Sequence, residues 1–472
     1  MDDTVRTGIR APDRPALACL TGRWPGLGDR CRAPRPSGAG CSEVRHTFQF
    51  SPCDSGVVAQ PAVSRNTSEL PQQHSGRRPP RRDADPYEEA RNVVKFGTLY
   101  ELEPGPEPWP ERREYDVYHE AAEQVVLTEE LGFDYAWVVE HHFLTGYSSS
   151  SAPEVFLGWL AAQTSRIRLG HGVLQFSKGV NHLVRIAERT AALDLICDGR
   201  LDVGSGRGFT NEEVVAFGVD PDDTRPMQEH GMRNLPKLWC EDEFELNDEF
   251  YSMPPRRLHP KPIQTPHPPM WMAATQPSSW ELAGQLGAGV LAFGLGTPDE
   301  LDAAIRSYRT AAAQAQTPYG LVNNTVAFAP TFYCAETDEE ALETAAPSLL
   351  FWLECNYGFV KGWSKSDSRD YEFYKRVGTD IISLPELTDE EKRGLSPQAQ
   401  VIRQGVKSNL FCVGSPETCR NVVQYYADRD VDQLILMAQL GDMTNKQIQD
   451  SLRLFGAEVM PEFTTSAAGV MV

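Results

Sequence analysis

Residues Tyr135 to Phe143 read Y-A-W-V-V-E-H-H-F. Tyr135 to Val139 is an unbroken run of aromatic, small and β-branched side chains. It is too continuous for a strand with one wet face, which predicts a short strand buried on both sides. Three polar groups follow at once: Glu140, His141 and His142. In a barrel of parallel strands the C-terminal strand ends are where catalytic loops assemble. A histidine there exchanges protons near neutral pH with little tuning. The plainer readings are a polar strand cap or a metal site, but a metal needs a third or fourth ligand at fixed spacing and the neighbouring sequence offers none.

Outward from this stretch the chain repeats one unit. A strand at Val93 to Leu99 precedes a helix whose Tyr118, Ala121, Ala122, Val125 and Val126 keep a 3.6-residue stripe. After the Tyr135 strand come an apolar helix from Pro153 to Thr164, a strand at Ile167 to Val173 and a helix from Leu183 to Cys197. A fourth strand is expected at Leu201 to Arg207, with helical material to Cys240. Further strands are expected at Pro269 to Thr275, Gly289 to Gly294, Thr325 to Tyr333 and Gln433 to Gln439. Eight strands alternating with helices predict a parallel sheet closed into a (β/α)8 TIM barrel. A last helix starts at the capping box Thr444-x-x-Gln447 and aligns Ile448, Leu452, Phe455 and Val459. Two stretches break the repeat, Glu241 to His267 and Asn356 to Ser408, and insertions at one end of a barrel commonly become lids.

The barrel is expected over residues 92–464, with a disordered tail at 465–472. Residues 1–91 hold 14 Arg and no Lys against 11 Asp and Glu, a net +3, which leaves −24 for the remainder. Their Arg-Pro-Gly-Ser clusters offer little periodic apolar face, so this extension is expected to be disordered. A targeting leader is the sharper alternative, opposed by Asp2, Asp3 and Asp13. A start codon assigned too early is another.

Of 472 residues, 40% are hydrophobic and 24% charged, the composition of a globular chain with a large core. Apolar runs fall short of the roughly 18 residues that a membrane span needs. The net charge of −21 disfavours a nucleic-acid partner. Ten cysteines without a C-x-x-C pair suggest reduced thiols and a cytoplasmic setting.

Two strand ends suggest a phosphate clamp. After the fourth strand, Gly204, Gly206 and Gly208 bracket Arg207, giving bare backbone beside a guanidinium that can take a phosphate through two hydrogen bonds. A glycine-rich loop of this kind also occurs in Rossmann methyltransferases, but there it follows the first strand and here three units precede it. After the fifth strand, Thr275, Gln276, Ser278 and Ser279 lead into a helix, with Ser278-x-x-Glu281 as a capping box. That N-terminus can receive an anion, although simple capping explains Ser278 as well.

E-H-H-F with a tryptophan three residues before the glutamate resembles the bacterial luciferase-like, flavin-dependent monooxygenases. K-F-G at Lys95 to Gly97, G-R-L-D-V-G-S-G-R-G from Gly199 to Gly208, and V-G-S-P-E-T-C from Val413 to Cys419 extend the resemblance over residues 94–464 in the family's order. The resemblance implies reduced FMN over the barrel mouth, its phosphate held by Arg207 and Ser279, with Gln276 at a position the family also uses and Thr275 where luciferase itself has an acid. Gly172 and Val173 would lie under the isoalloxazine ring, His141 would be the catalytic base, and Glu140 would orient its ring. Trp137 is expected in the core. Gly206 stands where luciferase has a reactive cysteine, so light emission is not implied. The expected activity is insertion of one oxygen atom from O2 into a small organic substrate, with reduced FMN supplied by a separate flavin reductase, in a homodimer. The alternatives are a deazaflavin-dependent oxidoreductase of the same fold and a non-catalytic subunit of a heterodimer.

Overall fold

The computed structural model describes residues 93–293, 297–363, 366, 368, 371 and 384–464. The segments 1–91 and 465–472, expected to be disordered, lie outside the described residues. In chain order the strands are β1 (Lys95–Tyr100), β2 (Tyr135–Val138), β3 (Arg168–Gln175), β4 (Leu201–Gly206), β5 (Phe244–Asn247), β6 (Ser252–Arg256), β7 (Met270–Ala273), β8 (Gly289–Ala292), β9 (Val326–Phe328), β10 (Thr331–Cys334), β11 (Phe411–Gly414) and β12 (Gln433–Leu436). Eight of them close a parallel barrel in the order β1-β12-β9-β8-β7-β4-β3-β2. The first helices are α1 (Arg113–Leu131), α2 (Pro153–Ala161), α3 (Leu183–Ile196), α4 (Asn211–Ala216), α5 (Thr224–Cys240), α6 (Pro277–Gln285), α7 (Pro298–Ala313) and α8 (Asp338–Trp363).

Side-chain size explains how the ring closes. Trp137 of β2 meets Trp271 of β7 edge to face, with ring centroids 5.1 Å apart. Since β3 and β4 stand between those strands in the ring, the two indoles touch through the barrel interior. Trp137 is fully buried, as expected of a core residue. Room for it comes from Gly170 of β3, where an added Cβ would lie 2.2 Å from the Trp137 ring. Below the indoles, Asp202 accepts hydrogen bonds from Arg168 Nε at 2.6 Å and Trp271 Nε1 at 2.8 Å, so the buried carboxylate is paired and bonded at once.

The helical stripes seat as their spacing predicts. Ala121, Ala122 and Val125 of the α1 stripe are buried and Tyr118 and Val126 half-buried, with Val117 the buried residue the stripe left out, and Ile448, Leu452, Phe455 and Val459 at the chain's end are all buried. Thr444 and Gln447 form the capping box of that final helix, Asn445–Glu458.

Three expectations need correction. The run Thr325 to Tyr333 is two strands, because Pro330 has no N–H for the ladder and its carbonyl accepts from Met437 N at 3.0 Å. Beyond it, β10 leaves the barrel and pairs in parallel with β11, so the V-G-S-P-E-T-C motif runs from a side-sheet strand into the helix Pro416–Ala427. The stretch Glu241 to His267 is also no lid. It forms the antiparallel β5–β6 hairpin, whose Phe244, Leu246 and Tyr251 are buried in the main core. Its tip is held beside the start of α3, where the Tyr251 hydroxyl accepts from Leu183 N at 3.3 Å and the Phe250 carbonyl accepts from Lys178 Nζ. Finally, Asn356 to Ser408 is not irregular at its ends: it opens as the last third of α8 and closes as the helix Pro397–Lys407. Most of its middle, including Phe373 and Tyr374, lies outside the described residues.

Gly170→Ala is expected to lower unfolding free energy by about 2 kcal/mol, the cost of forcing a methyl into a packed core. Urea denaturation measures it, and Trp137→Leu in the same chain should recover part of the loss. Equal stability of Gly170→Ala and the parent would mean that the indole has room to move.

Candidate active site

Backbone pairing brings the ends of β2 and β3 together: Glu140 N donates to Val173 O at 3.1 Å. His141 follows immediately. Its Nδ1 lies 3.0 Å from Glu213 Oε1 and its Nε2 3.5 Å from Glu101 Oε2, so a carboxyl group faces each ring nitrogen. Glu213 stands at the start of α4, where Thr210 and Glu213 form a capping box. Glu213 also accepts from His142 N at 2.9 Å and Gln175 Nε2 at 3.1 Å. Glu101 has fewer donors, with Tyr147 OH 3.3 Å from its Oε1.

This difference in donors separates the two acids. Burial alone would raise Glu213, but the His141 charge, their hydrogen bond and the donors from His142 and Thr210 outweigh it and hold this carboxyl below its usual range. Burial raises Glu101 above the usual range, against the pull of His141. For His141, burial disfavours the charged ring, but Glu213 and Glu101 prevail and push its pKa up to about 9.

Glu140 does not orient His141. Among the described residues its carboxylate accepts from Gln175 N at 2.6 Å, from Asn181 Nδ2 at 2.9 Å and lies 3.3 Å from His142 Nε2. Asn181 in turn accepts from Arg189 of α3 at 2.5 Å. These partners draw Glu140 toward the α3 side, away from the His141 ring. The residues around His141, namely Glu213, Glu101, Tyr147 and Phe209, were all missed from sequence. One signal was available, since Thr210-x-x-Glu213 is a capping box just after Arg207.

Gly172 and Val173 sit where the β3–β4 register shifts between His171 and Leu174. They are half-buried in a strand otherwise sealed beyond Arg168, so the bulge bares them. The glycines after β4 have a packing cause. A Cβ on Gly206 would lie 2.3 Å from the Val173 side chain, so this backbone is bare because the bulge presses against it. Arg207 holds its guanidinium 4.4 Å from the centre of the Tyr371 ring. Tyr371 stacks on Trp363 of α8 at 3.6 Å, and Trp363 Nε1 donates to Phe209 O at 3.0 Å.

Thr275 and Gln276 connect β7 to α6. Gln276 is the N-cap of α6 without a side-chain cap bond, and Pro277 takes the first helical position. The expected capping box at Ser278 is therefore absent: Ser278 is already inside the helix, and its Oγ accepts from Arg225 Nη2 at 2.9 Å. Ser279 is buried. Arg225, a cation at this helix start, was not singled out from sequence. Over the mouth, Phe359 of α8 packs edge-on to Tyr147 at 5.0 Å and to Phe209 at 5.9 Å, while both of those rings flank His141. Among the described residues no group of three or more His, Cys, Asp and Glu side chains could hold a metal ion, and no helix is long and apolar enough to cross a membrane.

Residues 94–433 match the sequence model of the luciferase-like monooxygenase family. The chain belongs to that family. Among curated relatives of this luciferase-like chain, 4-hydroxyprotoasukamycin monooxygenase of Streptomyces nodosus subsp. asukaensis is 28% identical over 361 residues, 72% of this chain and 86% of the relative. The oxygenase component of flavin-dependent trigonelline monooxygenase from Acinetobacter baylyi is 25% identical over 354 residues, 74% and 91% of the two chains. Among solved structures, the monooxygenase RslO1 from Streptomyces bottropensis shares the fold with a TM-score of 0.64 at 24% identity, covering 78% of this chain and all of that one. An F420-dependent secondary alcohol dehydrogenase shares it with a TM-score of 0.57 at 16% identity, over 79% and 99% of the chains.

The ion pair at the centre of this luciferase-like site has a pH signature. His141 is raised from 6.5 to about 9, so its contribution to stability is complete below about 6.5 and is lost as pH climbs through about 9. Glu213 is lowered, so its contribution is complete above the ordinary carboxylate range and is lost as pH falls below it. Glu213→Gln should therefore cost most stability, about 3 kcal/mol, at roughly pH 5 to 8, and progressively less on either side. Guanidinium unfolding across pH measures this, and a cost independent of pH would show a pair without net charge.

Proposed function

We propose that this chain is an FMN-dependent monooxygenase, the oxygenase component of a two-component system that uses reduced FMN and O2 to insert one oxygen atom into a small organic substrate. A separate flavin reductase would supply the reduced FMN, and the enzyme would act as a homodimer. The observation that carries the reading is the meeting, at one barrel mouth, of a carboxylate-flanked histidine with the bared backbone of Gly172 and Val173. Family membership supports it, as do the monooxygenase names of the two curated relatives.

The donor set fits a flavin phosphate. A helix start without a side-chain cap, the neighbouring Arg225 and the guanidinium of Arg207 supply positive potential and N–H groups to an anion. Arg207, Thr275, Gln276 and Ser279 would hold the phosphate, and Gly172 and Val173 would support the ring system. Bound reduced flavin supplies the activation of O2. The chain's own part is to exclude water with Phe209, Tyr147 and Phe359, and to move protons at His141. Glu213 keeps the His141 ring in one orientation through Nδ1.

A deazaflavin is the second reading, because the F420-dependent dehydrogenase has this fold. Titration with each cofactor, followed by absorbance, separates them, and product mass spectrometry under 18O2 tests oxygen insertion. Tight F420 binding without FMN binding would overturn the first reading. Arg207→Ala is expected to weaken FMN by about 2 kcal/mol while leaving riboflavin, which has no phosphate, unaffected. Loss of both ligands would make Arg207 structural. His141→Ala should lower turnover about 100-fold or more with FMN affinity nearly unchanged.

A further inference from the structure

Glu101 is a buried carboxyl group whose position is set by unusual backbone. The next residue, Leu102, has φ 53°, the left-handed region that a bulky side chain rarely enters. It is held there by Ser149 N, which donates to Leu102 O at 3.0 Å, and by Ser148 Oγ, which donates to Glu101 O at 2.6 Å. Backbone held in a costly region at a barrel mouth is where strain serves a function. The result is that Glu101 Oε2 faces His141 Nε2 at 3.5 Å, with only 2% of the residue exposed. Burying an acid with so few donors is costly. A carboxyl group kept there needs a reason beyond packing.

The groups facing His141 come from every element around it. Glu213 approaches from α4, Glu101 from the segment after β1 and the Tyr147 phenol from the segment after β2, while the Glu140 carboxylate, bonded to Gln175 and Asn181, acts on the ring only through its charge. Glu103 lies near Glu101, buried and accepting from Gly441 N at 2.9 Å. Acids dominate this set, and Glu213 with its donors takes the Nδ1 side. The Nε2 side belongs to Glu101.

We propose that Glu101 is a positioning residue and proton partner of His141, holding the proton on Nε2 so that the ring enters the reaction as an imidazolium and gives that proton to a substrate oxygen gaining negative charge. This rests on the oxygenase reading above. In the step, the Nε2–H bond breaks, the proton bonds to the substrate oxygen, and the ring becomes neutral with Nδ1–H still directed at Glu213. The ring is recharged at Nε2 by a proton from solvent, which the Glu101 carboxylate favours because its charge stabilises the imidazolium. Glu101 stays ionised throughout. No electrons move in either transfer. His141 is then a general acid at neutral pH.

Histidine-labelled NMR of the full chain without cofactor tests this, with His141→Gln assigning the signal. In the parent protein the ring should stay protonated up to about pH 9. In Glu101→Gln the midpoint should fall by about one pH unit, a roughly tenfold weaker hold on the proton. Glu101→Asp, which keeps the charge but shortens its reach, should lie between the two, and it replaces Glu101→Gln if that variant fails to fold. An unchanged midpoint in a folded variant overturns the proposal. In turnover assays the alkaline limb of the pH profile should move down with the NMR midpoint in Glu101→Gln. A uniform loss of rate at all pH values would make Glu101 merely structural and overturn the proposal. Because the titration needs neither flavin nor substrate, an inactive parent protein would sink the oxygenase reading without altering the NMR result.

Discussion

An ionised carboxylate sealed from water must be surrounded by donors, and around Glu213 that requirement organises the whole barrel mouth. Thr210 reaches it from the N-cap of α4, Gln175 from the end of β3, and the backbone of His142 and the ring of His141 from the end of β2. Two strand ends and a helix start are thereby tied to one side chain. Moving any of them would strand a buried charge, which is costlier than losing a hydrogen bond. Gln175 also donates its N–H to Glu140, so the inward and outward acids share a neighbour.

Environment alone separates His141 from His171. His141 is flanked by carboxyl groups and keeps its proton up to about pH 9. His171, on the adjacent strand, is fully buried; burial first and the Arg189 charge second push it down to about 3. The same ring is thus a cation in one place and a neutral packing element in the other, and a few ångströms decide which. For the same reason Glu140, the acid adjacent to His141 in sequence, serves the α3 side of the barrel while Glu213, seventy-two residues on, serves the ring.

The mouth combines this charged floor with an aromatic cover. Phe359 bridges Tyr147 and Phe209, and the Trp363–Tyr371 stack continues to the guanidinium of Arg207. Excluding water strengthens every electrostatic contact beneath. Part of the segment read from sequence as a lid therefore does touch the site, through residues at the end of α8. The Tyr251 hairpin, read the same way, closes the outer wall instead.

By itself, the sequence determined the barrel and the side on which its site would form. Continuous apolar strands, helical stripes such as Ile448-Leu452-Phe455, and polar groups at strand ends are local patterns, and burial enforces them wherever the chain folds. His141 and Arg207 stood out in this way as polar groups at strand ends, whereas Gly172 and Val173 came only from the family resemblance. Only the tertiary structure decided what each group faces. Hydrogen bonds to Gln175 and Asn181 turned Glu140 away from His141, and the β3 bulge packs against the bare backbone at Gly206. Pro330 sent β10 out of the barrel. Glu101 and Glu213 reached the ring across long stretches of sequence, because hydrogen bonds and charge act through space and carry no spacing that a linear pattern could record.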